Sequence, residues 1–512
     1  MKKGEKKSTV TYLSFLMKIL KAIRRQIKKV DRIMEGKYSP ALLARTVTVI
    51  AAVVVSVILF LPNYLGVAND GSTDEIMKSA GLYYMEQDPE SIYANYFIRT
   101  YTEIPTGFEQ KKEELNGSLI FIKFAKMLDD FVTRDRMFDI RFLGFVYYLC
   151  YLPAFYFFIR QACQRVKQFS EGAMIAGAGL ILFSDVGYVT YFNSFYPEAL
   201  WFIAMLSCIG ACMSFQNDRS YKWDFIALLV ILLSVSLIVS SKRQCAVIGF
   251  LFAIYLLRLI FVRKNLFWGV SCVLAAFLLS VFSFVSVLNR PSDFSETSKF
   301  HAMTRGVLFS SSDPFKTLFE FGIDSSYELL ADASAYDYLP FVPSKEPSLY
   351  QGFLDQYTIS DIGIYYLRHP GSLLSMIDSS IKVGMDMRRS NCGNYEKEAG
   401  FPEKAKSLFW SGWSSFKELS APKTLGYVVI LTGAVIVLFY KGYSIFLAAE
   451  KRNTIFLDML LMIFVLLLSQ SIVVIVNSGD AEMVQRLFLV GMSIDIMTYC
   501  VFAELLHKMR IV

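Results

Sequence analysis

Charged residues are scarce in this chain of 512 residues. They make up 19% of the sequence, whereas apolar residues make up 54% and aromatic residues 15%. Globular domains average about 25% charged and about 45–50% apolar residues, so the deficit excludes a soluble protein of this length. Apolar runs of about 20 residues recur along the chain, and each can cross about 30 Å of hydrocarbon as a helix.

Cysteine is also scarce. The chain has eight cysteines, and no pair has the spacing of a zinc site. On the topology predicted below, only Cys392 lies in a large outer segment, which excludes an intramolecular disulfide framework. The first apolar run lacks a cleavage site of small residues and is predicted to be an anchor rather than a removable signal peptide. We expect no cofactor and no metal ion.

Net positive charge is absent from most of the chain. Residues 1–45 hold 13 Lys and Arg against three acidic residues, which is a net charge of +10. The whole chain has a net charge of +7, so residues 46–512 have a net charge of −3. This distribution excludes a nucleic-acid-binding surface. Within 13–34, apolar residues recur at helical spacing with basic residues between them, which predicts an amphipathic helix on the anionic inner leaflet. A short coiled-coil seam is the alternative.

Ten membrane spans are predicted, so the fold class is an all-α polytopic membrane protein with both termini cytoplasmic. Basic residues follow the even-numbered spans, as the positive-inside rule requires. The predicted spans are 43–62, 142–160, 172–191, 197–214, 223–240, 245–262, 266–288, 424–440, 454–476 and 487–506.

Two outer segments are long, 63–141 and 289–423, and we find no internal repeat. The predicted units are a basic cytoplasmic helix (1–42), an N-terminal transmembrane module (43–288), an extracytoplasmic helical segment (289–423) and a C-terminal transmembrane module (424–512). The short outer turns are 192–198, 240–244 and 477–486.

Basic residues stand in the outer turns, which such residues usually avoid. Lys242 and Arg243 are either a tolerated exception or a site for an anionic ligand such as a lipid phosphate. Arg486, at the start of the tenth span, is either an anchor or part of the same cluster, which His301 and Arg305 could join.

Acidic residues at the outer side raise a second question. Asp185 lies within the third span, where a carboxylate usually faces a cavity or a partner. Residues 69–72, Asn-Asp-Gly-Ser, have the composition of a tight turn and are followed by Asp74 and Glu75. By itself this is a turn that ends a helix. Beside a phosphate site, Asp70 or Asp74 could act as a general base.

The sequence resembles the GT-C superfamily of membrane glycosyltransferases, and more closely bacterial glycan-biosynthesis hexose transferases of the WsfD type. The similar stretches are 68-ANDGSTDEIM-77, 138-FDIRFLG-144, 184-SDVGYVTYFNSFYPEA-199, 241-SKRQ-244 and 479-GDAEMVQRLF-488. They occur in order over most of the chain.

This resemblance implies a GT-C-like fold in a bacterial plasma membrane and inverting transfer of a sugar from a polyprenyl-phosphate donor. The acceptor would be a hydroxyl of an extracytoplasmic glycan. Asp70 or Asp74 would be the general base. Membrane lipid would be a further partner of the protein. The residues expected to contact substrate are Asp185, Tyr191, Asn193, Tyr196, Glu198, Lys242, Arg243, Gln244, His301, Arg305, Asp480 and Arg486.

A transporter or flippase of lipid-linked glycans is the alternative. It predicts inverted repeats, broken spans and ion sites at the membrane midplane. The absence of repeats and the position of the polar residues at the outer rim favour the enzyme.

Overall fold

The structure is a computed structural model. It describes residues 22, 25–85, 92–93, 95–103, 116–216, 220–288, 296–335, 347–389, 391–446, 454–481 and 483–509. The predicted basic helix at 13–34 lies partly outside the described residues, and its described part, 25–34, is helical.

Ten apolar helices correspond one to one with the ten predicted spans. They are α1 Pro40–Phe60, α2 Arg141–Ala162, α3 Phe169–Phe183, α4 Glu198–Ser214, α5 Tyr221–Val239, α6 Ala246–Arg258, α7 Leu266–Leu288, α8 Leu425–Phe446, α9 Ile455–Ser478 and α10 Phe488–Met509. Two 3-10 turns, Arg243–Cys245 and Leu259–Val262, extend α6.

Seven of these helices are long and apolar enough to cross a membrane, counting α6 with its 3-10 turns. An eighth span forms if α3 and Val186–Asn193 are taken together across their 47° bend. Helix α4 and the apolar part of α8, Leu425–Phe439, are shorter. The protein is therefore an all-α polytopic membrane protein, apart from five short strands among the described residues, which were not expected.

Helix α1 shows how local sequence starts a span. The Ser39 hydroxyl accepts the backbone N–H of Leu42 at 3.1 Å, and Pro40 opens the helix, where its missing N–H costs nothing. The apolar residues that follow face lipid on one side and the bundle on the other.

Helix α4 is the centre of the bundle. Every residue of α4 except Ser207 is buried, because the helix packs against α2, α5, α9 and α10. A helix that is apolar all round fits only such a central position. Its first residue, Glu198, is consequently fully buried.

The shorter helices lie outside the bundle or at its rim. They are Asp74–Ser79, Gly117–Val132, Val186–Val189, Glu296–His301, Pro314–Glu320, Pro347–Gly352, Ile359–Arg368, Pro370–Gly384, Gly412–Leu419 and Met483–Arg486, with a π-helical stretch at Ala302–Leu308. The remaining 3-10 turns are Thr190–Asn193, Ser325–Leu330, Leu354–Gln356 and Lys397–Ala399.

Two small sheets accompany them. Strands β2 (Leu82–Tyr84), β3 (Thr100–Glu103) and β4 (Met137–Asp139) form an antiparallel sheet in the order β2-β3-β4. Strand β1 (Leu65–Val67) pairs with β5 (Cys392–Tyr395), also antiparallel, in the register Leu65 to Tyr395. This second pairing joins the two long segments that were predicted to be outer.

We call the end of the bundle formed by residues 61–74, 190–198, 240–244 and the described part of 479–487 the capped end, because the described residues of 296–423 pack against it. The opposite end holds ion pairs that join neighbouring helices: Arg165–Glu504 at 3.1 Å, Arg258–Asp458 at 2.9 Å and Arg263–Asp224 at 2.6 Å.

Candidate functional site

The turn after α1 is a tight one, as its composition predicts. Asn69 Oδ1 accepts the backbone N–H of Gly71 and the hydroxyl of Thr73, both at 3.0 Å. Ser72 donates its backbone N–H (3.0 Å) and its hydroxyl (2.6 Å) to Asp70 Oδ1. Gly71 has φ +87°, a conformation that favours glycine. These local bonds hold the half-buried Asp70 at the surface of the capped end.

Asp74 has a different environment. Its Oδ1 accepts the Tyr84 hydroxyl at 2.6 Å and the Asn69 amide at 2.9 Å, and its Oδ2 accepts the Tyr93 hydroxyl at 2.8 Å. Burial and the bond to Asp74 raise the pKa of Tyr84, and the same carboxylate raises the pKa of Tyr93. Because three donors occupy it, the Asp74 carboxylate holds the turn, and Asp70 is the better placed of the two to meet a substrate.

The strand pair β1–β5 brings the second long segment next to Asp70. Asn391 donates its side-chain amide to the Ala68 carbonyl at 3.0 Å and to the Tyr196 hydroxyl at 3.3 Å. The backbone N–H of Asp70 donates to that same hydroxyl at 3.0 Å. Tyr196 therefore joins the turn after α1, the start of α4 and Asn391.

Arg389 is a residue that the sequence analysis missed. Its guanidinium Nη1 lies 4.0 Å from Glu198 Oε1. Burial lowers the pKa of Arg389, but neighbouring acidic groups outweigh burial and leave that pKa above its ordinary value. These groups are Tyr191, Glu198, Cys392 and Asp70. The sequence does hold a signal for Arg389, because the basic pair Arg388-Arg389 stands in a segment predicted to be outer. The same signal drew attention to Lys242 and Arg243.

A small recess adjoins Arg389 at the capped end. The Tyr191 ring on one wall lies 5.4 Å from the ring of Phe488, the first residue of α10. The other lining residues are Tyr188, Val383, Gly384, Asp386, Met387, Arg389, Val484, Leu487, Gly491 and Met492. The recess is thus mainly apolar, with one buried cation.

The basic turn 241–244 lies beside this recess. Lys242 Nζ is 5.3 Å from the centre of the Trp201 ring, a distance typical of a cation–π contact, and the Trp201 and Phe488 rings are 6.3 Å apart. The Gln244 amide donates to the Arg486 carbonyl at 3.4 Å. The structure thus brings together the turn at 241–244 and Arg486, which are far apart in sequence.

Asp185 and Asn193 were predicted to contact substrate, but the structure uses them to hold the backbone. Asp185 is fully buried and accepts the backbone N–H groups of Gly187 at 2.8 Å and of Trp413 and Ser414 at 3.0 Å. Asn193 donates to two carbonyls, Leu59 at 3.2 Å and Leu65 at 3.0 Å. Both side chains therefore connect elements of the bundle in this structure.

His301 and Arg305 also serve the fold instead of joining the basic cluster. His301 is fully buried, and its Nε2 accepts the backbone N–H of Ala335 at 2.9 Å. Arg305 binds both carboxylate oxygens of Asp480, at 2.7 and 3.0 Å, and also contacts the Asp332 carboxylate. Two carboxylates thus neutralise the Arg305 charge, and Asp480 fixes the π-helical stretch to the turn after α9.

The comparison with protein families gives a match over residues 23–512 to the YfdI N-terminal transmembrane domain. The chain belongs to this family. The match extends over all ten helices and both long segments, so the recess and the turn after α1 are part of the family domain. No curated protein matches the chain.

The family identity and the helices make this a multi-pass membrane protein. All eight cysteines are unbridged, and seven of them are buried. Within the described ranges, no three His, Cys, Asp or Glu side chains are placed to hold one metal ion. Asp70, Tyr196, Arg389 and the basic turn supply polar groups at this site.

Proposed function

We propose that the protein is an inverting glycosyltransferase of the GT-C type in a bacterial plasma membrane. It moves a sugar from a polyprenyl-phosphate donor to a hydroxyl of a cell-surface glycan at the outer face. One observation carries this proposal: a half-buried carboxylate, Asp70, lies within electrostatic range of Arg389, a buried cation that lines a mainly apolar recess beside the basic turn 241–244.

The arrangement suits transfer from a lipid phosphate. Asp70 takes the proton of the acceptor hydroxyl while that oxygen attacks the anomeric carbon from the side opposite the phosphate. The bond between the sugar and the phosphate oxygen breaks, and the phosphate leaves with the electron pair. Lys242, Arg243 and Arg486 favour the charge that grows on the phosphate. The Tyr196 hydroxyl accepts the Asp70 N–H, and the rings of Tyr196 and Tyr191 are 6.1 Å apart.

Membership of the YfdI family supports this proposal, because the family domain is a transmembrane one and includes each residue used here. The apolar lining of the recess also fits a donor whose phosphate is carried on an isoprenoid chain. The partners of the protein are then the lipid-linked donor, the glycan acceptor and the surrounding membrane lipid.

The test is sugar transfer in proteoliposomes with a purified polyprenyl-phosphate sugar, comparing Asp70→Asn with Asp74→Asn. We expect Asp70→Asn to lower the turnover number by about 100-fold or more at unchanged donor affinity, since it removes the base and keeps the shape. Asp74→Asn weakens the hydrogen bonds from Tyr84 and Tyr93, so it should lower the free energy of unfolding by about 1–3 kcal/mol. The folded variant should keep most of its activity.

Full transfer by Asp70→Asn would refute the role of Asp70. Loss of donor translocation across the vesicle membrane, with transfer unaffected, would favour the flippase alternative.

A further inference from the structure

Arg389 and Glu198 form a buried ion pair without a hydrogen bond. The exposed fractions of their side chains are 9% and 0%, and the nearest atoms are 4.0 Å apart. Among the described residues, neither Glu198 carboxylate oxygen accepts a hydrogen bond, and the guanidinium donates none. Buried polar groups almost always have such partners, and leaving one without them is costly. This pair is therefore poised for a ligand.

The neighbouring Arg388 shows the contrast. Its Nη2 donates to the Ser407 carbonyl at 2.6 Å, and the side chain packs against Gly187 and Gly393. Arg388 thus has a structural role in the fold, whereas Arg389 lines the recess. The two adjacent arginines therefore have different surroundings, and Arg389 is the one that lines the recess.

The walls of the recess define the kind of ligand. Arg389 supplies five N–H donors in a planar fork that matches phosphate oxygens. Apolar residues of the wall, among them Val484, Leu487 and Met492, would contact a hydrocarbon chain. Asp386 is the other charged lining residue, and it is exposed, so it can turn to solvent when an anion binds.

We propose that Arg389 binds the phosphate group of a phosphate mono- or diester in this recess, and that Glu198 is the counter-ion of Arg389 while the recess is empty. The inference deepens the proposed function and rests on it only for the sugar that the phosphate carries. When the ligand enters, the guanidinium exchanges a carboxylate at 4.0 Å for hydrogen-bonded phosphate oxygens. During transfer the charge on the phosphate grows, so this contact strengthens in the transition state.

This assignment predicts effects of opposite sign at the two residues. Removing the guanidinium removes the donors that hold the anion. Removing the charge of Glu198 takes away a buried negative charge next to the anion and should strengthen binding. If the ion pair were purely structural, both substitutions would change the affinity for the anion in the same direction.

The experiment measures equilibrium binding of farnesyl phosphate to the purified full chain in detergent, with farnesol and inorganic phosphate as comparison ligands. We expect Arg389→Gln to weaken the binding of farnesyl phosphate at least about tenfold, and Arg389→Lys to weaken this binding less. Glu198→Gln should tighten the binding at least about threefold. The matched control is Lys382→Gln, an exposed cation on Pro370–Gly384, which should stay within about twofold.

Several results would overturn the inference: unchanged affinity in Arg389→Gln, weaker binding in Glu198→Gln, or equal affinity for farnesol and farnesyl phosphate. An affinity for inorganic phosphate equal to that for farnesyl phosphate would support the phosphate site and identify free phosphate as its ligand. If Arg389→Gln does not fold, Arg389→Lys and Glu198→Gln decide.

The assay contains no sugar and no acceptor, which separates the two proposals. If the wild-type protein binds farnesyl phosphate as expected but transfers no sugar, the proposed function is refuted and this inference is not. Normal transfer with unchanged binding in Arg389→Gln would refute this inference alone.

Discussion

At the scale of single residues, basic side chains at the capped end differ in what already holds them. Arg305 is bound by two carboxylates, and Arg388 by a backbone carbonyl. Lys242 and Arg243 are half-buried and form no ion pair within the part of the chain that the structure describes. A cation that rests only against an aromatic ring keeps most of its charge available to an incoming anion.

We expect Lys242→Ala and Arg243→Ala each to weaken binding of the polyprenyl-phosphate sugar and to slow transfer by about tenfold, because these cations favour the charge on the departing phosphate. The measurement is transfer rate against donor concentration in proteoliposomes at matched protein amounts. Lys264→Ala, an exposed cation at the opposite end, is the control. Wild-type rates and affinities in both variants would show that these two residues are only tolerated exceptions to the positive-inside rule.

At the scale of elements, one short helix ties the second long segment to the bundle. Asp185 accepts the N–H groups of Trp413 and Ser414 in the first turn of Gly412–Leu419. Near the other end, Lys417 Nζ lies 2.9 Å from Asp495 Oδ1 of α10, and both side chains are 1% exposed. Tyr188, which lines the recess, donates to the second oxygen of Asp495. This helix therefore supports one wall of the recess.

Removing one member of this buried pair leaves the other charge without compensation. We expect Lys417→Met to lower the free energy of unfolding by about 3–5 kcal/mol, measured by thermal melting in detergent. The double variant Lys417→Met with Asp495→Leu should recover most of the loss, because no buried charge then remains unpaired. Lys382→Met, an exposed change, should cost less than about 0.5 kcal/mol. A double variant no more stable than the single one would contradict this account.

At the scale of the whole molecule, the predicted ten crossings would leave both termini on one side of the membrane and the capped end on the other. The positive-inside pattern predicts that the capped end faces outward. Maleimide labelling can test this, since seven of the eight native cysteines are buried and give little background.

We expect Leu329→Cys, at a side chain that is 92% exposed, to react with a membrane-impermeant maleimide in intact cells. Arg165→Cys, whose native side chain is 48% exposed at the opposite end, should react only after the cells are permeabilised. The reverse pattern would invert the topology and place the recess on the cytoplasmic side, where an extracytoplasmic acceptor cannot reach it.

The sequence by itself determined the ten helices. In hydrocarbon a backbone must satisfy its own hydrogen bonds, so each span is a local helix of a length that the membrane sets, and its apolar run can be recognised without any tertiary information. The tight turn at 69–72 was equally local, because its hydrogen bonds join residues two to four apart in the chain. The five strands escaped prediction because each has only three or four residues and acquires its hydrogen bonds from a distant partner.

Only the tertiary structure decided which polar residues face the recess. A buried carboxylate looks the same in sequence whether it meets backbone N–H groups, as Asp185 does, or a cation, as Glu198 does. Arg389 comes within electrostatic range of Asp70 because β1 pairs with β5, although more than 300 residues of chain separate the two. No local pattern records such a pairing, because its free energy comes from contacts that exist only after the two long segments have packed on the bundle.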